Sequence, residues 1–181
     1  MKLRRRVAAL GLAAWAGLGF PVLVRGEGPL AAPNVVTITP KLVTSGQPSA
    51  EALARLGEQG FQAVLYLAPL SLPNAVLAEP EILARQHIEF VNIPINFGKP
   101  TAEDFEQVAA TLDRWKDRKV LVHCEVNMRA SSMVFLYRTL RLKEKPEVAY
   151  EAVEKVWSPR GVWRELIVAQ RKRGGVDFEP Y

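Results

Sequence analysis

Residues 130–141 place apolar side chains nearly all round a helix wheel, and they follow closely on a short apolar run at residues 120–122. A helix without a polar face must be covered on every side, so the rest of the chain has to be arranged around it. The surrounding pattern can supply that cover. Apolar or β-branched runs at 35–39, 42–44, 63–67 and 88–95 read as strands, the last of them stopped by Pro94. Helical patterns separate most of them. Ser49 is placed to cap a helix with Glu51 in its first turn and Ala52, Leu53 and Leu56 as its apolar stripe, ending at Gly60. A loop with three prolines at 69–80 leads to a short helix at 81–86. Thr101 and Asp104 have capping-box spacing, and Phe105, Val108, Ala109, Leu112 and Trp115 recur at helical intervals. One further helix starts at Pro146, with Ala149, Ala152, Val153 and Val156 on one face, and another covers about 162–173. Strands alternating with helices imply an α/β fold of three layers, a mostly parallel sheet flanked by helices.

Composition excludes several functions. Apolar residues make up 49% of the 181 residues and charged residues 24%, so the chain can bury a core and is not disordered. The formal charge of +5 is unevenly distributed: five of the 24 Lys and Arg residues lie in the first 26 positions, leaving 19 bases against 19 acids. A neutral body argues against nucleic acid as a partner. One cysteine excludes an intrachain disulfide framework.

The basic leader reads as a secretory signal. Lys2, Arg4, Arg5 and Arg6 precede an apolar stretch at 7–20, and Val24 and Gly26 are small enough for a peptidase site. Cleavage after Gly26 leaves one domain at 27–181, in the periplasm or otherwise exported. Left uncleaved, residues 7–24 would form a membrane anchor, although Gly11, Gly17, Gly19 and Pro21 weaken that reading.

The chemistry is concentrated in VLVHCEVNMRAS, residues 120–131. Cys124 falls where a strand ends and a buried helix is about to begin. Unpaired amides and the dipole at a helix N-terminus favour an anion there, and the same field favours a thiolate, which is the nucleophilic form of cysteine. Arg129 provides a permanently charged fork that can hold two phosphate oxygens. His123 can order the loop by hydrogen bonding. Asn127 tolerates the left-handed backbone that an inward-curling loop requires.

This His-Cys-loop-Arg segment resembles the active-site signature of cysteine-dependent protein tyrosine and dual-specificity phosphatases. TSGQPSAEALARLGEQGFQAVLYL, residues 44–67, is similar to the start of the bacterial beta-lactamase-hydrolase-like phosphatase branch, and the resemblance extends from about 36 to at least 142. It implies a sheet of four or five strands, Cys124 as nucleophile, Arg129 as phosphate clamp and a phosphocysteine intermediate released by water. His123 and Ser131 would assist, and Glu125, Val126, Asn127, Met128 and Ala130 would form the cradle. The implied substrate is a phosphorylated small molecule or phosphoprotein, and neither cofactor nor metal is called for. In the phosphatase signature five residues separate Cys and Arg; here there are four. Ala130 stands where a hydroxyl follows the Arg, while Ser131 sits at that place when counted from the Cys. The family's acid on a preceding loop has no counterpart among residues 95–99, and Glu103 and Asp104 are better explained by helix capping.

Two other readings fit the same loop. Four residues after the Cys resemble a rhodanese-like sulfurtransferase, whose tighter cradle suits a single sulfur atom. A catalytically degenerate scaffold that binds an oxyanion or phosphoprotein is the other. Elsewhere, His87 is expected in a loop or in packing, and Trp115, Trp157 and Trp163 in helix packing. Asn96 and Lys99 are placed near the pocket mouth or in a solvated loop, and Arg160 in a turn. Arg171, Lys172 and Arg173 are expected at a helix C-terminus favoured by its dipole.

Overall fold

The strand-forming runs pair into one sheet of five four-residue strands in a computed structural model that describes residues 30–179. The leader expected at 1–26 lies outside the described residues. In chain order the elements are β1 (Val36–Thr39), β2 (Leu42–Ser45), α1 (Ala50–Leu53), β3 (Ala63–Tyr66), α2 (Glu79–Ala84), β4 (Glu89–Asn92), α3 (Ala102–Arg114), β5 (Val120–His123), α4 (Met128–Leu140), α5 (Pro146–Glu154) and α6 (Val162–Arg173). The strand order is β1-β2-β5-β3-β4, and every pairing except β1 with β2 is parallel. The expected α/β fold with a mostly parallel, helix-flanked sheet is therefore present. Ser45 and Tyr66 both pair with His123, which aligns the carboxyl ends of β2, β5 and β3. In open parallel sheets that edge is where sites form.

Side-chain alternation along the strands sorts the core into two layers. Ala63, Leu65, Val120 and Val122 join Phe105, Leu112, Met133, Leu136, Val153 and Trp163 on one face, under α3, α4, α5 and α6. Val43, Val64 and Leu121 face the other way, against Leu53, Leu56, Phe61, Leu83 and Ile88. As the all-round apolar pattern requires, α4 is buried along nearly its whole length and packs on α3, α5, α6 and the sheet. The Thr101 capping box opens α3: Thr101 N–H donates to Asp104 Oδ2 at 2.8 Å, and Asp104 N–H donates to Thr101 Oγ1 at 3.1 Å. Among the described residues no helix is long and apolar enough to cross a membrane.

Two local expectations are corrected. The helix expected up to Gly60 stops at Leu53, although Leu56 is still buried. After Ala54 the bonds tighten to three-residue spacing, with Arg55 N–H donating to Ala52 O at 3.1 Å and Leu56 N–H to Leu53 O at 3.3 Å. The Gln86 side chain braces the turn that follows, donating to Leu53 O at 2.8 Å and accepting from Gly57 N–H at 2.9 Å. The second helix begins at Glu79 rather than 81, with Pro80 in its first turn, where the missing N–H is tolerated. As expected, Arg171, Lys172 and Arg173 form the last turn of α6. Arg171 is only 1% exposed, donates to Val176 O at 3.3 Å and lies over the Phe178 ring, because the segment after α6 folds back. Its guanidinium pKa is lowered by desolvation, opposed by the charges of Glu179 and Asp177. As expected, Trp115 and Trp163 are buried in helix packing, and exposed His87 occupies a turn with φ 58°.

Candidate active site

The loop after β5 is shaped by contacts to the segment that follows β2. Cys124 N–H donates to Ser45 O at 3.2 Å, Gln47 N–H donates to Glu125 O at 3.0 Å, and Gly46 bridges Val126. The approach is close enough that a Cβ on Gly46 would lie 2.9 Å from Glu125 O, so this position of the Ser-Gly-Gln-Pro turn requires glycine. Asn127 then turns the chain with φ 74°, the left-handed geometry expected of it. Its amide Nδ2 donates to Asn34 O at 2.6 Å and to Thr44 Oγ1 at 3.1 Å, while Asn34 Nδ2 donates to Val126 O at 3.0 Å. The loop carbonyls are thus tied to neighbouring segments. Ser131 N–H makes the first regular bond of α4, to Asn127 O at 2.9 Å, which leaves the amides of Met128, Arg129 and Ala130 as the orphan donors of the first turn. Cys124, directly after β5, is fully buried and packs in the core layer with Ala130.

Arg129 is held over this turn. Its Nε donates to Ile95 O at 3.0 Å, Phe97 lies with its ring centroid 5.0 Å from the guanidinium, and Nη1 is 3.9 Å from Glu125 Oε2. The segment between β4 and α3 therefore straps across the arginine. Trp163 secures the strap: its indole N–H donates to Phe97 O at 2.9 Å, and the Phe97 ring packs on Trp157 and Trp163. Arg129 is 5% exposed and Phe97 37%, so an aromatic ring rather than a charge faces solvent here.

His123 points to the other side of the sheet end. Its Nε2 lies 2.7 Å from Glu79 Oε1, and Gln47 Nε2 donates to Glu79 Oε2 at 3.0 Å. Both His123 and Glu79 are fully buried, and the imidazole stacks on Tyr66 at 4.7 Å between centroids. The Tyr66 hydroxyl pKa is pushed up to about 12, first by burial and then by negative charge at Glu79 and Cys124, with Arg129 opposing.

The loop thus sets Cys124 at the end of β5 and Arg129 in the first turn of α4. Other expected residues stand differently. The His123 ring bonds to α2 rather than to the loop it precedes. Glu125 Oε2, expected in the cradle, lies 3.9 Å from Arg129 Nη1. Ala130 is buried in the core, so it can offer a ligand only its amide. Ser131 Oγ donates to Met128 O at 3.2 Å, inside the first turn. Met128 and Val126 are half-buried at the loop's rim. Glu79, Gln47, Tyr66 and Phe97 were not among the expected site residues. An acidic residue directly before Pro80 is a helix-start signal that could have drawn attention to Glu79.

A parallel sheet with a cysteine at the end of its central strand and an arginine in the first turn of the next helix defines a member of the dual-specificity and protein tyrosine phosphatase-like superfamily. The model of the family described as DSP-PTPase phosphatase fused to NAD+ kinase matches residues 37–167, and the chain belongs to this family. Its structure is similar to that of a DUF442 protein from Shewanella putrefaciens, with 26% identity, a TM-score of 0.72, and coverage of 79% of this chain and 92% of that one. It also shares its fold with PTPMT1 in complex with PI(5)P, at 16% identity and a TM-score of 0.64, covering 78% and 96% of the two chains. The catalytic domain of the PP-IP phosphatase SIW14 from S. cerevisiae is similar at 15% identity and a TM-score of 0.62, covering 79% and 95%. No curated protein matches the chain at a significant level.

Proposed function

We propose that this phosphatase-family chain is an exported, cysteine-dependent hydrolase of phosphomonoesters that works through a phosphocysteine intermediate. The observation that carries the reading is the convergence of Cys124, Arg129 and the orphan amides of Met128, Arg129 and Ala130 on one helix N-terminus. The Cys124 thiolate attacks phosphorus in line with the ester oxygen; the S–P bond forms as the P–O bond breaks, and the leaving oxygen takes a proton from water. Water then attacks phosphorus, the P–S bond breaks, phosphate departs and the thiolate is restored. Arg129 and the amides neutralise charge on the equatorial oxygens in both steps.

Residues 95–99, which cross over Arg129, carry no carboxylate to protonate the leaving group. An aryl phosphate, whose leaving group departs readily without a proton, is therefore the suitable assay substrate. Export rests on the leader's charge and apolar pattern. The substrate is a phosphorylated small molecule or a phosphoprotein.

The test is a side-by-side assay of aryl phosphate and of thiosulfate with cyanide on residues 27–181. Phosphate release that vanishes in Cys124→Ser is the expected result. Release that persists in Cys124→Ser would overturn the mechanism, and sulfur transfer with a persulfide on Cys124 would assign the loop to sulfurtransferase chemistry instead.

A further inference from the structure

The buried Glu79 has no part in the steps just described, yet it sits at the junction of three segments that shape the Cys124 loop. One carboxylate oxygen faces His123 Nε2 at 2.7 Å, and the other accepts from Gln47 at 3.0 Å. Gln47 belongs to the turn whose amide holds the Glu125 carbonyl, and His123 is the residue directly before Cys124. Two contacts thus connect one carboxylate to both sides of the nucleophile's loop. Burying a carboxylate is costly unless its oxygens are hydrogen-bonded, and the cost would be avoided by an apolar residue packing in the same place. A purely architectural contact between α2 and the sheet has no need of a charge.

We propose that Glu79 is a positioning residue for the phosphatase reaction, fixing the His123 imidazole and, through it, the backbone from which Cys124 attacks. In this reading His123 Nε2 carries a hydrogen and donates it to Glu79 Oε1 across the 2.7 Å contact. That assignment directs Nδ1, which is buried and has no protein partner among the described residues, away from Glu79. The Tyr66 ring stacked on the imidazole prevents it from tipping out of that plane. Rotation of the ring would disrupt both the Glu79 contact and the stack, so the end of β5 is restrained in side chain as well as in backbone. The groups whose charges act on Tyr66 here are Glu79 from α2 and Cys124, Glu125 and Arg129 from the loop and α4. Among them Glu79 is the one whose carboxylate meets both the imidazole and the Gln47 turn. The inference rests on the phosphatase reading for its kinetic consequence but not for its structural one.

The experiment combines aryl phosphate kinetics with ring-nitrogen NMR of His123, on residues 27–181. Glu79→Gln keeps the size of the side chain and removes its charge. Orienting carboxylates act on turnover more than on substrate affinity, so kcat is expected to fall about tenfold or more with KM within about twofold. His123→Asn is expected to cause a similar loss, and the double variant little more than either alone, because the two act as one unit. In the wild type, NMR is expected to show a hydrogen on Nε2 in slow exchange, and in Glu79→Gln a mixture of ring states. Multiplying losses in the double variant, or an unchanged kcat in Glu79→Gln, would overturn the proposal. Should Glu79→Gln fail to fold, the wild-type spectrum decides: a neutral ring with its hydrogen on Nδ1 refutes the assignment. A wild type inactive on aryl phosphate would defeat the functional reading, while the spectrum would still show whether Glu79 fixes the ring.

Discussion

Asn127 carries two separable physical demands, a left-handed backbone and a buried amide, and replacing it by glycine or by alanine separates them. Glycine accepts φ 74° freely but loses the hydrogen bonds to Asn34 O and Thr44 Oγ1. At about 1 kcal/mol each, Asn127→Gly should cost about 2 kcal/mol of folding free energy. Asn127→Ala loses the same bonds and also forces a Cβ into the left-handed region, adding roughly 1 kcal/mol for a total of about 3 kcal/mol. Urea denaturation followed by tryptophan fluorescence gives both values, provided the slope with denaturant is unchanged. The loop also sets the first turn of α4, so vanadate affinity should fall in the same order, alanine worse than glycine. Equal destabilisation by the two substitutions would refute the backbone argument. A change under about 0.5 kcal/mol in both, typical of unconstrained surface sites, would refute the whole account of the loop.

Gln86→Ala should cost about 1 kcal/mol, since Gly57 N–H loses its partner while Leu53 O keeps Leu56 N–H, and hydrogen exchange at Gly57 should accelerate. An unchanged exchange rate would show that the Gln86 amide does not hold the turn after α1. Trp163→Phe removes the indole N–H from Phe97 O while keeping an aromatic ring, and should lower kcat/KM on an aryl phosphate about fivefold through a looser strap; unchanged kinetics would disconnect α6 from the site. Tyr66 and Tyr137, both buried, have hydroxyl pKa values raised from 10 to about 12, chiefly by burial. An acid with a raised folded pKa keeps its proton longer than the unfolded chain does. Stability should therefore be unaffected below pH 10 and fall towards pH 12, by about 1.4 kcal/mol per pH unit for each group. Denaturation at stepped alkaline pH, with tyrosinate absorbance as a second probe, tests this; tyrosinate appearing near pH 10 before unfolding would contradict it.

The parts of this fold that were legible in the sequence are those decided by nearby residues. The Thr101 capping box, the Pro146 start and the all-apolar α4 pattern each express a local rule, and each element formed where its rule placed it. The Cys124 and Arg129 pairing was legible for the same reason, since strand end, loop and helix start are contiguous. Long-range partners produced the differences. Gln86 braces the turn after α1 from 33 residues beyond Leu53, a separation that periodicity does not sense. Glu79 was absorbed into a proline-rich loop because its reason for being buried, His123, lies 44 residues away. The Phe97 strap was invisible for a further reason: Arg129 is gripped there by a backbone carbonyl, which carries no residue identity.

The central claim is that Cys124 forms a covalent bond to phosphorus during turnover. Acid quenching of the protein after rapid mixing with an aryl phosphate, followed by mass analysis of the peptide spanning Cys124, tests it directly. The account predicts a phosphoryl adduct on Cys124 that appears before steady-state phosphate release, disappears as substrate is exhausted and is absent from Cys124→Ser. Phosphate release with no adduct at Cys124, or undiminished release from Cys124→Ser, would contradict it.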